Sequence, residues 1–274
     1  MSALPRLGFV GVGAIAEALI TGMCAAGEQR ATFLLSPRNS NVANRLAERF
    51  PLVKVAADNQ AVIDASDIIF LAVRPQVAAD VLGALKFRTD QRIVSLIATF
   101  NVARLRTLVG PAEAITRAVP LPAVARRMGA LTLYPPTPEI VGLLEGLGQL
   151  VQVQNESDLD AFWAVTGLMS SYLGMLDEIA RWLSRQNLQD TQVRPFVAAM
   201  FEALAVTATE RAMGGFDRLA AEHATPGGLN EQAYRELKAA GWTGLISQTL
   251  DLIHARVLGR ATLADRLPTS CGSA

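Results

Sequence analysis

Arg6-Leu-Gly-Phe-Val-Gly-Val-Gly-Ala-Ile-Ala-Glu-Ala-Leu-Ile-Thr-Gly-Met23 is the stretch that decides the fold. It begins as a short apolar run, Leu7 to Val12, turns on glycines and continues with apolar residues at helical spacing. Gly11, Gly13 and Ala16 fit the G-x-G-x-x-G/A pattern of a dinucleotide-binding turn. Gly11 permits the tight strand-to-helix reversal, and Gly13 lacks the Cβ that would block a pyrophosphate. Ala16 lets the helix lie close to the strand, so that Ala14 and Ile15 bring the helix N-terminus to the phosphates. A ligand-free strand-to-helix turn could use the same glycines, so the rest of the chain has to decide.

Downstream, short apolar strands alternate with helices. Thr32 to Leu35 reads as a second strand and is followed by Ser36-Pro37-Arg38-Asn39-Ser40. An NAD-preferring domain would place a carboxylate there for the ribose 2′-hydroxyl. Instead, Arg38 offers a fork for a 2′-phosphate, with Ser36 as a donor and Asn39 beside it. NADP(H) is therefore expected over NAD(H); a polar loop capping the helix Asn41 to Phe50 is the competing reading. Val53 to Ala56 is a third strand, and Asp58-Asn59 opens a helix ending near Ala65. Asp67 to Val73 is a fourth strand, almost wholly apolar as burial on both faces requires. It runs into Arg74-Pro75-Gln76, where the proline starts a helix. Ligands of such sheets bind beyond the carboxyl ends of strands, which puts Asn59, Ala72, Val73, Arg74 and Gln76 at the cofactor. Further strands are expected at Gln91 to Ala98, Ala114 to Val119, Gly129 to Tyr134 and Leu150 to Gln154. The alternation implies a doubly wound α/β domain over residues 1–155.

The pattern changes at Asn155-Glu-Ser-Asp158, a polar break with helix-capping residues. From Leu159 onward the periodicity is helical: Leu159 to about Asn187, Asp190 to Met213, Glu231 to Ala240 and Thr243 to Leu258, with a frayed tail from Leu267. Residues 156–274 are thus an all-helical domain. In the first of its helices Leu168, Tyr172, Met175 and Ile179 share a face, with Tyr172 expected in a core and its hydroxyl bonded. Gly241-Trp242 reads as a helix break carrying a packed aromatic, and His254 as structural.

Lys+Arg and Asp+Glu number 25 each, so nothing favours nucleic acid or a charged membrane surface. A mean hydropathy of +0.28 is high, yet no apolar run approaches the ~20 residues of a membrane span. The apolar excess is expected to bury surface against another copy, giving a homodimer. The opening residues carry no apolar signal core, which suggests the cytoplasm. Cys24 and Cys271 are distant and unpatterned, and neither a disulfide nor a metal site is expected.

Together the motifs resemble the pyrroline-5-carboxylate reductase family along nearly the whole chain. Gly8 to Ile20 is similar to that family's G-F-I-G-x-G-x-M-A-E-A-L-I. Asp58-Asn59 with Asp67 to Gln76 resembles its D-N…A-D-x-x-x-L-A-V-K-P-Q, with Arg74 in place of lysine. Ala224-Thr-Pro-Gly-Gly-Leu-Asn230 resembles its T-S-P-G-G-T-T loop, and Leu237 to Trp242 its L-E-x-x-G-x. The resemblance implies a Rossmann domain followed by a helical dimerisation domain, and NAD(P)H-dependent reduction of a cyclic imine carboxylate to proline. It also places the substrate at Thr225, Gly227, Gly228, Asn230 and Tyr172. The 225–230 turn has backbone N–H groups suited to a carboxylate. Asn230 and Thr225 are candidate polar contacts at the reacting centre, and His223 a candidate proton donor.

The departures fall on the substrate side. The family's M-P-N-T-P is Val119-Pro-Leu-Pro-Ala123 here, and its S-G-S-G-P-A-Y is Thr166-Gly-Leu-Met-Ser-Ser-Tyr172. An altered substrate is therefore expected on a retained cofactor half. Two alternatives stand beside the imine reductase. Hydroxy-acid dehydrogenases of the same plan carry a lysine early in the first long helix, and Lys54, Lys86 and Lys238 all lie elsewhere. A non-catalytic NADP-binding protein would bind cofactor without turnover.

Overall fold

The computed structural model describes residues 4–25 and 31–267. Its first half is an eight-stranded sheet. The strands are β1 (Arg6–Val10), β2 (Thr32–Leu35), β3 (Val53–Val55), β4 (Ile68–Leu71), β5 (Arg92–Ser95), β6 (Ala114–Pro120), β7 (Ala130–Tyr134) and β8 (Gln149–Gln152). They lie in the order β3-β2-β1-β4-β5-β6-β7-β8. The first six strands are parallel in the 3-2-1-4-5-6 order of a Rossmann sheet, whose strand order reverses between β1 and β4. β7 runs antiparallel to β6, and β8 follows β7. The doubly wound sheet expected from the sequence thus ends in an antiparallel turn of direction at β7. Run composition cannot reveal the reversal, because a strand buried on both faces reads the same in either direction.

Six helices cover this sheet: α1 (Ala14–Cys24), α2 (Ser40–Arg49), α3 (Asn59–Asp64), α4 (Pro75–Gly83), α5 (Val102–Val109) and α6 (Pro138–Leu144). Alternate residues of the central strands go to opposite layers, as the two-residue repeat of a strand demands. Leu7, Phe9, Ile68, Phe70 and Val94 pack with Ala16 and Leu19 of α1, Leu46 of α2 and Ile140 of α6. Val10, Ile69, Leu71 and Ile93 pack with Val62 of α3, Leu82 of α4 and Leu105 of α5. Phe9 and Phe70 stack in parallel with centroids 4.5 Å apart. Each such side chain, fully buried, contributes ~1.5–3 kcal/mol. The sequence pattern did not reveal α5, α6 or the 3-10 segment Pro122–Arg126, all short. That segment packs so closely on α1 that a Cβ at Gly22 would run into the Val124 carbonyl.

The second half is helical: α7 (Glu156–Val165), α8 (Met169–Ser184), α9 (Asp190–Arg211), α10 (Phe216–His223), α11 (Leu229–Ala239) and α12 (Trp242–Val257). The long helix expected from Leu159 to Asn187 is divided by a 3-10 turn at Thr166–Leu168. Gly167 lies there, where a Cβ would be 3.3 Å from Ile253 of α12. Gly215, at φ +87, follows the 3-10 turn that ends α9, and Gly241, at φ +81, separates α11 from α12. Packing divides the chain after Ala164, nine residues beyond the boundary expected at 155; His254–Thr262 also belongs with the sheet unit, and Val165–Ile253 forms the body of the second unit. Of the expected tail only Leu267 falls among the described residues, and Cys271 lies outside them.

The second unit by itself has few buried side chains, among them Ala180, Val193, Val197 and Leu219. Tyr172, expected in a core, is 44% exposed and lies edge-on to Phe201. Trp242 is also partly exposed. The helical repeat identifies an apolar face but not whether that face is covered within one chain. Among the described residues no helix is long and apolar enough to cross a membrane.

Candidate active site

The first cluster of candidate residues lies at the carboxyl ends of β1 to β4. Gly11 has φ +92, and a Cβ there would be 2.8 Å from the Ala72 backbone. The turn after β1 thus abuts the end of β4, which only glycine allows. The Gly11 N–H donates to Ser36 Oγ at 2.9 Å, and Asn39 Nδ2 donates to the Val12 carbonyl at 2.9 Å. Ser36 is 1% exposed. Its oxygen accepts from the turn and so supports the glycine loop, while the hydroxyl keeps its own hydrogen to donate. Asn39 precedes α2 without capping it and ties the loop after β2 to the loop after β1.

Gly13 is the N-cap of α1, has no side-chain cap, and a Cβ on it would meet nothing within 4 Å. Gly13 and Ala14 are exposed, Ile15 is half-buried, and Ala16 is fully buried beneath them. The opening N–H groups of α1 therefore face outward, with the positive end of the helix dipole, as an anion site requires. Arg38 is exposed and has no ion pair among the described residues. Asn59 begins α3 behind Asp58, whose Oδ1 accepts the Ala61 N–H at 2.8 Å. Ala72 and Val73 are half-buried where β4 ends, and Arg74 and Gln76 are exposed on either side of Pro75.

The second cluster lies in the helical unit. His223 ends α10, with Nδ1 2.8 Å from the Leu219 carbonyl. A carbonyl only accepts, so Nδ1 carries the hydrogen and the neutral ring leaves Nε2 as an acceptor. Proton donation from Nε2 therefore requires the imidazolium. Asn230 Nδ2 donates to the His223 carbonyl at 3.1 Å. A groove of about 300 Å³ is lined by Leu204, Phe216, Leu219, Ala220, His223 and Asn230, with Thr207 and Ala208. The structure brings His223 and Asn230 together there, while Thr225, Gly227, Gly228 and Tyr172 lie outside the lining. The turn itself differs from expectation. The Gly227 N–H donates to Glu231 Oε2 at 2.7 Å, and the Gly228 N–H to the Thr225 carbonyl at 2.8 Å. Two N–H groups expected to be open for a carboxylate are engaged, one by the Glu231 carboxylate from the first turn of α11 and the other by the Thr225 carbonyl of the turn itself.

Sequence reading missed Arg117 of β6, which is 1% exposed and paired at 2.8 Å with both Glu156 and Asp160. The signal was present: an arginine inside an apolar strand needs buried partners, and Glu156 and Asp160 stand one turn apart on α7. Cys24 is half-buried, and burial pushes its thiol up to about 11, so it offers no thiolate near neutrality. No group of three or more His, Cys, Asp or Glu suited to a metal occurs among the described residues.

A Rossmann sheet, a glycine turn against an uncapped helix start and a helical second unit define a two-domain protein of the dinucleotide-binding class. Residues 6–99 match the family model described as NADP oxidoreductase, coenzyme F420-dependent, and residues 156–258 match pyrroline-5-carboxylate reductase dimerisation. The chain is 28% identical to the pyrroline-5-carboxylate reductase of Pseudomonas aeruginosa, over 96% of this chain and 98% of that one. Its fold is similar to that of the Streptococcus pyogenes enzyme (TM-score 0.81, 23% identity, 94% of this chain and 100% of that one). It is also similar to the Plasmodium falciparum pyrroline carboxylate reductase with NADP bound (TM-score 0.78, 17% identity, 94% and 98%). Together these matches support a member of the pyrroline-5-carboxylate reductase family.

Proposed function

We propose that this protein is an NADPH-dependent reductase of the C=N bond of a small cyclic imine carboxylate, acting as a homodimer in the cytoplasm and, for pyrroline-5-carboxylate, forming proline. The observation that carries the reading is the outward-facing start of α1 behind Gly13. A Cβ-free position in open space and uncapped N–H groups fit the pyrophosphate of a dinucleotide. Arg38, exposed beside the same loop, fits a 2′-phosphate. The cofactor supplies a hydride. The chain's own contribution is to hold the nucleotide, exclude water and align an already protonated imine, work that needs no metal. On the substrate side the proposal relies on Asn230, a side-chain donor, and on His223 beside it in the same groove; Thr225, Gly227, Gly228 and Tyr172 complete the proposed set.

The deciding experiment is NADPH oxidation by the purified protein against a panel of cyclic imines and keto acids that includes pyrroline-5-carboxylate. Turnover of a cyclic imine is expected; turnover of keto acids alone, or of nothing, overturns the reading. Arg38→Ala should weaken NADPH by ~10- to 100-fold and leave NADH nearly unchanged, the loss of a charge-assisted pair. Equal losses for the two coenzymes would remove the phosphate assignment.

A further inference from the structure

The cluster around Arg117 has no part in the contacts above, yet it is among the most completely buried polar groups in the sheet unit. The guanidinium donates from Nη1 to Glu156 Oε1 and Asp160 Oδ1, both at 2.8 Å, and from Nη2 to the Ala98 carbonyl at 3.3 Å. It lies 5.2 Å from the Trp163 ring centroid. Glu156 Oε1 also accepts the Val102 N–H, the first of α5, at 2.7 Å. Arg117 therefore reaches the backbone in the middle of the loop between β5 and α5 and, through Glu156, at the start of α5. It holds Ala98 directly and Val102 by way of Glu156.

That loop leaves the carboxyl end of β5. In a sheet of this order the dinucleotide straddles the reversal between β1 and β4. The β1–β3 half, which carries the glycine turn, takes the adenosine side, and the β4–β6 half takes the nicotinamide nucleotide. Burying an arginine with two carboxylates is a poor way to gain stability, since apolar groups of similar volume do as well or better. Arg117 Nε is buried without an acceptor among the described residues, a further cost of the arrangement. What the cluster provides is a fixed loop geometry. We propose that Arg117 is a positioning residue that holds the 96–101 loop in place for the nicotinamide half of the cofactor. The inference rests on the cofactor reading above.

The test compares two ligands, NADPH and adenosine 2′,5′-bisphosphate, which lacks the nicotinamide half. Each is titrated calorimetrically into the wild type, Arg117→Lys, Arg117→Met and the triple variant Arg117→Met/Glu156→Gln/Asp160→Leu. The triple variant keeps an acceptor for Val102 and leaves no buried charge unpaired, so it guards against a simple failure to fold. The bisphosphate should bind all variants within about twofold of wild type, while NADPH weakens by ~10-fold in Arg117→Met and the triple variant. The rise in nicotinamide emission on binding should fall in parallel, and Arg117→Lys should lie between. Equal losses for both ligands, or NADPH affinity and emission unchanged, overturn the proposal while leaving the cofactor reading intact. A wild type that binds neither ligand overturns both.

Discussion

At the scale of single residues, Gly11 and Gly13 perform different tasks two positions apart. Gly11 is required by the fold: its φ of +92 and the 2.8 Å approach to Ala72 leave no room for a side chain. Gly13 faces open space, so its demand comes from the ligand. Gly13→Ala is therefore expected to melt within a few degrees of wild type. The same change should weaken NADPH by ~10- to 100-fold, the effect of overpacking a close contact. Comparable NADPH affinity in calorimetry would mean that no pyrophosphate passes over that position.

At the scale of elements, the turn between α10 and α11 is built by Asn230, which holds the His223 carbonyl, and by Glu231, which holds Gly227. Asn230→Ala should lower turnover of a cyclic imine ~10-fold or more through loss of alignment while NADPH affinity stays unchanged. An unchanged kcat would place the substrate elsewhere. The strands and most helices of the sheet unit were legible in the sequence because apolar runs and glycine turns are local signals. Arg117 was legible only as an anomaly, since its partners stand 39 and 43 residues away. The engaged N–H groups of the 225–228 turn were hidden for a different reason. Whether Glu231 turns back onto Gly227 or out to solvent is a choice of rotamer, which composition and spacing do not encode. Ser36 shows the same limit, because a hydroxyl suited to a phosphate is equally suited to a buried backbone N–H.

At the scale of the whole molecule, the second unit exposes Leu173 and Phe196 by 62% each, Trp182 by 54% and Met213 almost completely. Apolar faces on that scale mark an interaction surface, and a match to a dimerisation domain indicates a second copy of the chain. Sedimentation at micromolar concentration should show a dimer, and Phe196→Glu should shift it toward monomer. A wild-type monomer, or a Phe196→Glu protein that remains fully dimeric, would remove this face from the interface.

The uncapped start of α1 has a consequence for the protein's lifetime. A helix whose first donors are completed by a bound anion is more firmly held when the nucleotide is present, so each binding event draws the chain away from its unfolded forms. Degradation in the cell acts mainly on those forms. The steady amount of this protein should therefore rise and fall with the supply of reduced coenzyme, even when its synthesis is constant.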